Sequence, residues 1–402
     1  MKTTPNGERI HLTLFGRRNV GKSSLINALT GQEVALVSPV KGTTTDPVWK
    51  AMELLPLGPV VVTDTPGLDD IGALGAERVR RTLETVRKTD VALLVTDAAG
   101  GVGPLEKEWL ARLADRRIPV VLVFNKSDEA MPSSAQMDGA ARWTGDGVHI
   151  VSAATGAGVE ELKTALAHRL PPSASDRKLV GDLVAPGDVV LLVTPIDSAA
   201  PKGRLILPQQ QVLRDLLDAS VLAVVVKETE LAAALKALKA PPRLVVTDSQ
   251  AFAYVAALLP VETPLTSFSI LFARFKGDVQ ALVDGARHVA ALKDGDRILV
   301  AEGCTHHRQQ EDIGTVKIPR WLSESTGKSL QFVHTAGGTY PADLGEYALV
   351  VHCGGCMLNR REMQARIQQA RNAGVPIVNY GVLIACLEDI LPRALQPLGL
   401  TF

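Results

Sequence analysis

Three of the chain's four cysteines fall in two short segments, Cys304-Thr305-His306 and His352-Cys353-Gly354-Gly355-Cys356. Thiolates and imidazoles are the side chains that bind soft and borderline metals, and scattered structural cysteines do not cluster in this way. The two glycines let the loop between Cys353 and Cys356 curl tightly, so both sulfurs can face one centre. Residue types and spacing leave three chemistries open here: a closed zinc site, an iron–sulfur cluster, or a dithiol redox pair at Cys353 and Cys356. His352 and His306 are candidate metal contacts, whereas His307 and His334 read as surface or supporting residues. Cys386 lies in the apolar helical stretch 382–391 and reads as a small core residue.

Both segments follow apolar runs that read as buried strands, 298–301 before Cys304 and 347–351 before His352. A ligand at a strand end has a rigid support. If the two strands are neighbours, the thiols and imidazoles converge on one small volume.

A second chemistry stands near the N-terminus. Residues 10–15 read as a strand that feeds Gly16-Arg17-Arg18-Asn19-Val20-Gly21-Lys22-Ser23, and a helical stretch, 24–29, begins at Ser24. This is the strand–loop–helix setting of a phosphate-binding loop. Backbone N–H groups of Gly16, Asn19, Val20 and Gly21 and the helix N-terminus at Ser24 cradle phosphates, Lys22 reaches the β- and γ-phosphates, and the Ser23 hydroxyl ligates Mg2+. Asp64-Thr65-Pro66-Gly67 follows the strand 60–62, offering a carboxylate to the magnesium shell and the Gly67 N–H to the γ-phosphate. After the strand 120–124, Asn125-Lys126-Ser127-Asp128 points to guanine. The Asp128 carboxylate accepts two hydrogen bonds from that base, Asn125 braces it, and the Lys126 stem lies over it. Ser152 and Ala153 close a further strand with backbone suited to the guanine carbonyl. Gly42-Thr43-Thr44-Thr45-Asp46 lies where a first switch loop belongs. The nucleotide implied is GTP rather than ATP.

The organisation between these sites is alternating strand and helix. A linker, Pro-Pro-Ser-Ala-Ser-Asp, is expected at 171–176. Strands are expected at 189–193, 221–226 and 244–246, and helices at 210–217, 230–238 and 249–259, with no catalytic cluster among them. The small apolar face 232–238 suits an internal core or a subunit interface. From 265 onward a second such layer follows, with helices at 279–292, 360–373 and 382–391 and strands at 298–301, 330–333, 347–351 and 375–378. The expected fold class is α/β: a P-loop domain with a parallel-rich sheet over 7–170, then two further α/β domains, 171–264 for dimerisation and 265–402 for the cluster. The 402 residues suffice for that many cores. Acidic and basic residues are equal at 43 each, which counts against broad capture of nucleic acid or an anionic membrane. The polar first eight residues read as no targeting segment, and few cysteines in such a chain suit the reducing cytoplasm.

Over 7–170 these motifs resemble the Era/TrmE-like branch of the P-loop GTPases. That resemblance implies that Thr44 closes on magnesium when GTP is bound and that Asn19 helps to hold K+ beside the phosphates. Leu68 stands where Ras-type enzymes carry a water-orienting glutamine, so slow intrinsic hydrolysis is expected. The whole chain, with Glu302-Gly303-Cys304-Thr305-His306-His307, Asp312-Ile313-Gly314 and the H-C-x-x-C segment, resembles the HydF family of FeFe-hydrogenase maturation GTPases. Membership would imply a 4Fe–4S cluster on Cys304, Cys353 and Cys356 with one iron site open. It would also imply a scaffold role for a di-iron precursor made by the radical-SAM maturases HydE and HydG, and its delivery to apo-hydrogenase by a homodimer or tetramer. GTP binding and hydrolysis to GDP would govern partner exchange. The competing expectation is an Era-like GTPase of RNA or ribosome biology with a structural zinc site.

Overall fold

The strands of this protein are short runs of valine, leucine and isoleucine, and nearly all their pairings are parallel. Such strands are covered on both faces and read as continuous apolar segments rather than alternating ones. The computed structural model describes residues 4–31, 48–68, 73–170, 177–195, 205–303, 312–337 and 340–402, with backbone alone for 73–80. Its contacts divide the chain into two units, Met1–Asp176 and Arg177–Phe402.

The first unit is built on a six-stranded sheet. Its strands are β1 (Ile10–Phe15), β2 (Val48–Leu54), β3 (Gly58–Asp64), β4 (Val91–Asp97), β5 (Val120–Asn125) and β6 (Val148–Ile150). They lie in the order β2-β3-β1-β4-β5-β6, with β2 antiparallel to β3 and the rest parallel. Helices cover both faces. Leu25, Ile26 and Leu29 of Lys22–Thr30 join Leu162 and Leu166 of Val159–Arg169 against Leu12, Leu14, Val60 and Val62. On the other face Trp109 and Leu113 of Pro104–Asp115 pack with Phe15, Leu94 and Phe124. Burying each of these large side chains stabilises the fold by about 1.5–3 kcal/mol.

The second unit holds two four-stranded parallel sheets. One comprises β7 (Val189–Val193), β8 (Leu222–Val226), β9 (Leu244–Thr247) and β10 (Leu265–Ser267), ordered β10-β9-β7-β8. The other comprises β11 (Arg297–Glu302), β12 (Gln331–Ala336), β13 (Leu349–His352) and β14 (Ile377–Asn379), ordered β12-β11-β13-β14. One apolar cluster takes in residues of both sheets, Leu191, Val245 and Leu265 from one and Leu299, Leu349 and Val350 from the other. The sheets therefore share a core. Helix packing on the second of these sheets is close: a Cβ on Gly285, in the helix Val279–Arg287, would meet the carbonyl oxygen of Ile377 in β14 at 1.9 Å.

Several elements differ from expectation in informative ways. The stretch 268–275, which carries no clear helical periodicity, forms the helix Phe268–Lys276, capped by the Ser267 hydroxyl accepting from the Ile270 N–H at 3.2 Å. Its periodicity is blurred because two cores bury it. Phe268, Leu271 and Phe272 face the first sheet, while Ile270 and Ala273 belong to the shared cluster. The expected helix 249–259 opens with a 3-10 turn, Ser249–Ala251, and 279–292 closes with one, His288–Ala291. On the 231–237 helix Leu231 is buried and Ala234 and Leu235 pack on the shared cluster, whereas Ala232 and Ala233 are exposed. The final sheet's β13 runs through His352, so that histidine is a buried strand residue.

Candidate functional site: a nucleotide loop and a cysteine loop at two sheet switch points

In an open parallel sheet, the crevice at the strand C-termini opens where the chain turns from one side of the sheet to the other. In the first unit that point is the end of β1, between β3 and β4. In the last sheet it lies between β11 and β13. Each carries one of the two sites.

At the end of β1, Gly16 is required by space: a Cβ there would lie 2.2 Å from the Val95 carbonyl oxygen. Asn19 and Gly21 both take positive φ, 60° and 86°, which turns the loop before the helix Lys22–Thr30. Lys22 is buried and its ammonium donates to the carbonyls of Gly16 (3.0 Å) and Arg17 (2.9 Å), folded within the loop it serves. The Ser23 hydroxyl donates to Asp64 Oδ2 at 2.6 Å, which brings the two expected magnesium ligands together. Asp64 Oδ1 is buried and takes no hydrogen bond. Burial holds this carboxyl above the usual carboxylate range, against the Ser23 hydrogen bond and the Lys22 charge. A divalent cation beside Ser23 is what that oxygen lacks, so the residues fit magnesium. Thr65 ties the loop before Gly67 to β1 through its hydroxyl, 2.7 Å from the Leu14 carbonyl oxygen.

The residues expected at the base converge on the same loop. Asn125 donates to the Val20 carbonyl at 2.9 Å and accepts from the Ala153 N–H at 3.0 Å, so one amide joins the phosphate loop to the loop after β6. A side chain on Gly21 would strike that amide, 2.4 Å away. The Ser152 hydroxyl donates to Asp128 and accepts from the Thr155 N–H at 3.1 Å, orienting the carboxylate. Lys126 sits at φ 60°, and Ser24 is exposed in the first helical turn. Thr44 lies outside the described residues. One further contact of the loop belongs to no motif. Arg17 makes two 2.8 Å hydrogen bonds to the buried Glu106, whose carboxylate also accepts from the Gly103 N–H at 3.0 Å. Nothing in the spacing of 17 and 106 foretells that clamp.

In the last sheet β11 and β13 are adjacent, with Ala301 beside His352, and the Cys353 N–H continues the ladder to the Ala301 carbonyl at 2.9 Å. The Gly303 N–H donates to Cys353 Sγ at 3.0 Å and the Gly355 N–H does so at 3.4 Å. Two N–H donors on one sulfur favour the thiolate, the form that ligates metal. Gly355 is at φ 63°, the turn the loop needs. Cys304 follows Gly303 directly in sequence, but Cys304 and His306 lie outside the described residues. Among the described residues no three cysteine, histidine or acidic side chains form a ready metal cluster. Cys353 and Cys356 are free thiols on one loop, and that donor chemistry fits an iron–sulfur cluster or zinc.

His352 is engaged by protein partners on both ring nitrogens. It is fully buried, its Nδ1 lies 2.7 Å from the Cys353 carbonyl oxygen and its Nε2 lies 3.1 Å from Arg366 Nη1. The ring donates through Nδ1 and accepts at Nε2, which leaves no lone pair for a metal. Burial first, then the Arg366 charge, push its pKa down to about 3, so it is neutral. Arg366 is itself buried, bonded to Glu362 (2.8 Å) and the Gly337 carbonyl (2.9 Å), and stacked 4.9 Å over the Tyr340 ring. His352 therefore passes the support of a buried cation to the cysteine loop. On the far side Tyr380 donates to the buried Glu302 at 3.4 Å. Burial first, then the charges of Cys353, Glu302 and Asp312, hold that phenol well above its usual range. Cys386 is half-buried and helical, away from this loop, and burial raises its thiol.

The fold and the first site define a P-loop guanine-nucleotide-binding protein that uses magnesium, extended by two further α/β sheets with a cysteine loop. A family model described as a 50S ribosome-binding GTPase matches residues 11–126. The hydrogen maturase F dimerization domain matches 179–277 and the hydrogen maturase F tetramerization domain matches 280–397, together more than half of the chain. The chain belongs to the hydrogen maturase F family, HydF. Among curated proteins it is similar to the tRNA modification GTPase MnmE of Laribacter hongkongensis, 39% identical over 163 residues, 40% of this chain and 34% of that protein. MnmE of Thiobacillus denitrificans is 41% identical over 163 residues, 40% of this chain and 33% of that one. The chain thus spans about a third of the length of these relatives. Among solved structures, Aquifex aeolicus Era bound to GDP and AlF4- is 21% identical, covering 62% of this chain and 97% of that one at a TM-score of 0.35. No described helix is long and apolar enough to cross a membrane.

Proposed function

We propose that this protein is a GTP-hydrolysing scaffold of FeFe-hydrogenase maturation. In this function the cysteine loop, with Cys304, holds a 4Fe–4S cluster that carries a di-iron precursor to apo-hydrogenase. The observation that carries the proposal is the pair of N–H donors, from Gly303 and Gly355, on Cys353 Sγ at the switch point between β11 and β13. This brings the residue before Cys304 to the Cys353/Cys356 pair, in a chain that also carries a guanine-nucleotide site. The cluster, when bound, supplies an iron site open to exchange. The chain's own residues retain it through three thiolates and keep the loop shaped around it. At the other site Lys22 and the Gly67 N–H face the charge on the γ-phosphate as water attacks, while Ser23 and Asp64, with Thr44, would hold a magnesium ion that would supply further positive charge there. Asn19, exposed at a left-handed turn of the loop, is the residue proposed to serve a K+ ion there, and that exposure supports the reading.

The division into 7–170, 171–264 and 265–402 is part of this proposal, with the middle part pairing two copies. Edge strand β8 supports it: Leu222 and Val225 are 60% and 39% exposed on a strand that, among the described residues, pairs on one side only. HydE and HydG are the proposed suppliers, apo-hydrogenase the recipient, and the cytoplasm the setting.

Anaerobic iron, sulfide and zinc determination on wild type and Cys304→Ser, with electron paramagnetic resonance after reduction, tests the proposal. About four irons and four sulfides per chain, lost in the variant, are expected. Stoichiometric zinc without iron after reconstitution would sink it. That result would favour the Era-like alternative, which the match of residues 11–126 to the 50S ribosome-binding GTPase family supports.

A further inference from the structure

No motif pointed to Lys276. It ends the helix Phe268–Lys276 and is only 2% exposed. Its ammonium donates to the carbonyl oxygens of Cys356 (2.8 Å), Leu358 (2.9 Å) and Gly355 (3.3 Å), and it lies 5.4 Å from the centre of the Phe272 ring. All three carbonyls come from the loop that follows Cys353. Desolvating an ammonium is costly, and here three peptide dipoles and an aromatic face offset that cost. The same helix is rooted by Phe268, Leu271 and Phe272 in the core beneath β7 and β9. The cysteine loop is thus fastened, through one rigid element, to the neighbouring sheet.

We propose that Lys276 is the positioning residue of the cysteine pair: it shapes the loop carrying Cys353 and Cys356 and, as a fixed positive charge at the Cys356 carbonyl, raises the reduction potential of a cluster bound there. The proposal rests on the cluster assignment above. A cluster gains negative charge on reduction, and a buried cation nearby stabilises the reduced form because the interior screens it weakly. A merely structural lysine would alter stability and leave the potential where it was.

The test uses the full chain, reconstituted anaerobically with ferrous iron and sulfide, as wild type, Lys276→Met and Lys276→Arg. Three quantities are read: iron per chain, the rate of iron loss to a ferrous chelator, and the midpoint potential from a redox titration followed by electron paramagnetic resonance. Lys276→Met is expected to shift the potential downward and to release iron several-fold faster. Lys276→Arg keeps the charge but not the three-carbonyl cap, so it is expected to hold the wild-type potential while releasing iron faster. If the Met variant does not fold, as judged by circular dichroism, the Arg variant decides: a lowered potential or an unchanged release rate overturns the proposal. A Met variant with wild-type potential and release rate also overturns it while leaving the cluster assignment intact. A wild-type chain that takes up no iron overturns both.

Discussion

His352 belongs to the candidate metal-binding motif, yet its ring is taken up by protein neighbours. Its imidazole lies between the Cys353 carbonyl and Arg366, with both nitrogens engaged. Replacing it with alanine removes the acceptor for one buried guanidinium N–H and the donor for the loop carbonyl. A buried group left unsatisfied costs about 1–3 kcal/mol. We expect His352→Ala to destabilise the second unit by that amount in urea unfolding, while the folded variant still takes up iron at the wild-type stoichiometry. Loss of iron from a variant of unchanged stability would restore His352 as a ligand. Glycine matters at the same scale. Gly16 and Gly21 are held by contact, one against the Val95 carbonyl and the other against the Asn125 amide, so the loop's sequence pattern records packing as well as phosphate binding.

Among the elements, β8 has the most consequence beyond the single chain. It is an edge strand with apolar side chains exposed, a template that proteins ordinarily blunt with charge, proline or a cover. Val225→Lys should weaken self-association by about tenfold or more without altering nucleotide binding, as sedimentation velocity over a concentration series would reveal. An unchanged oligomer would move the interface elsewhere. The helix Phe268–Lys276 illustrates the opposite case, an element whose every face is used. Two cores and one ammonium define it, which is why no single apolar stripe announced it.

Across the whole molecule, two units each carry their own core and their own chemistry. Calorimetry of the full chain should show two transitions. Mg2+ and GDP at about a hundred times the dissociation constant should stabilise one by about 2.7 kcal/mol and leave the other unmoved. Lys22→Ala should lower GTP turnover by about a hundredfold or more while iron content stays at the wild-type level, read by phosphate release and iron analysis on the same preparation. Joint loss of both activities would contradict separable units.

What the sequence by itself determined is local. The phosphate loop, the Asn125-Lys126-Ser127-Asp128 segment and the cysteine pair are each written within a few residues, because a strand end and its following turn carry their own periodicity and glycine pattern. Strands 298–301 and 347–351 were legible for the same reason. The tertiary structure alone decided what depends on register between distant strands. It set Ala301 beside His352, so that Gly303 reaches the Cys353 sulfur across fifty residues. It also chose Glu106 for Arg17 and the Gly355–Leu358 carbonyls for Lys276. Those partners are fixed by how sheets and helices pack in space, and packing leaves no spacing rule along the chain.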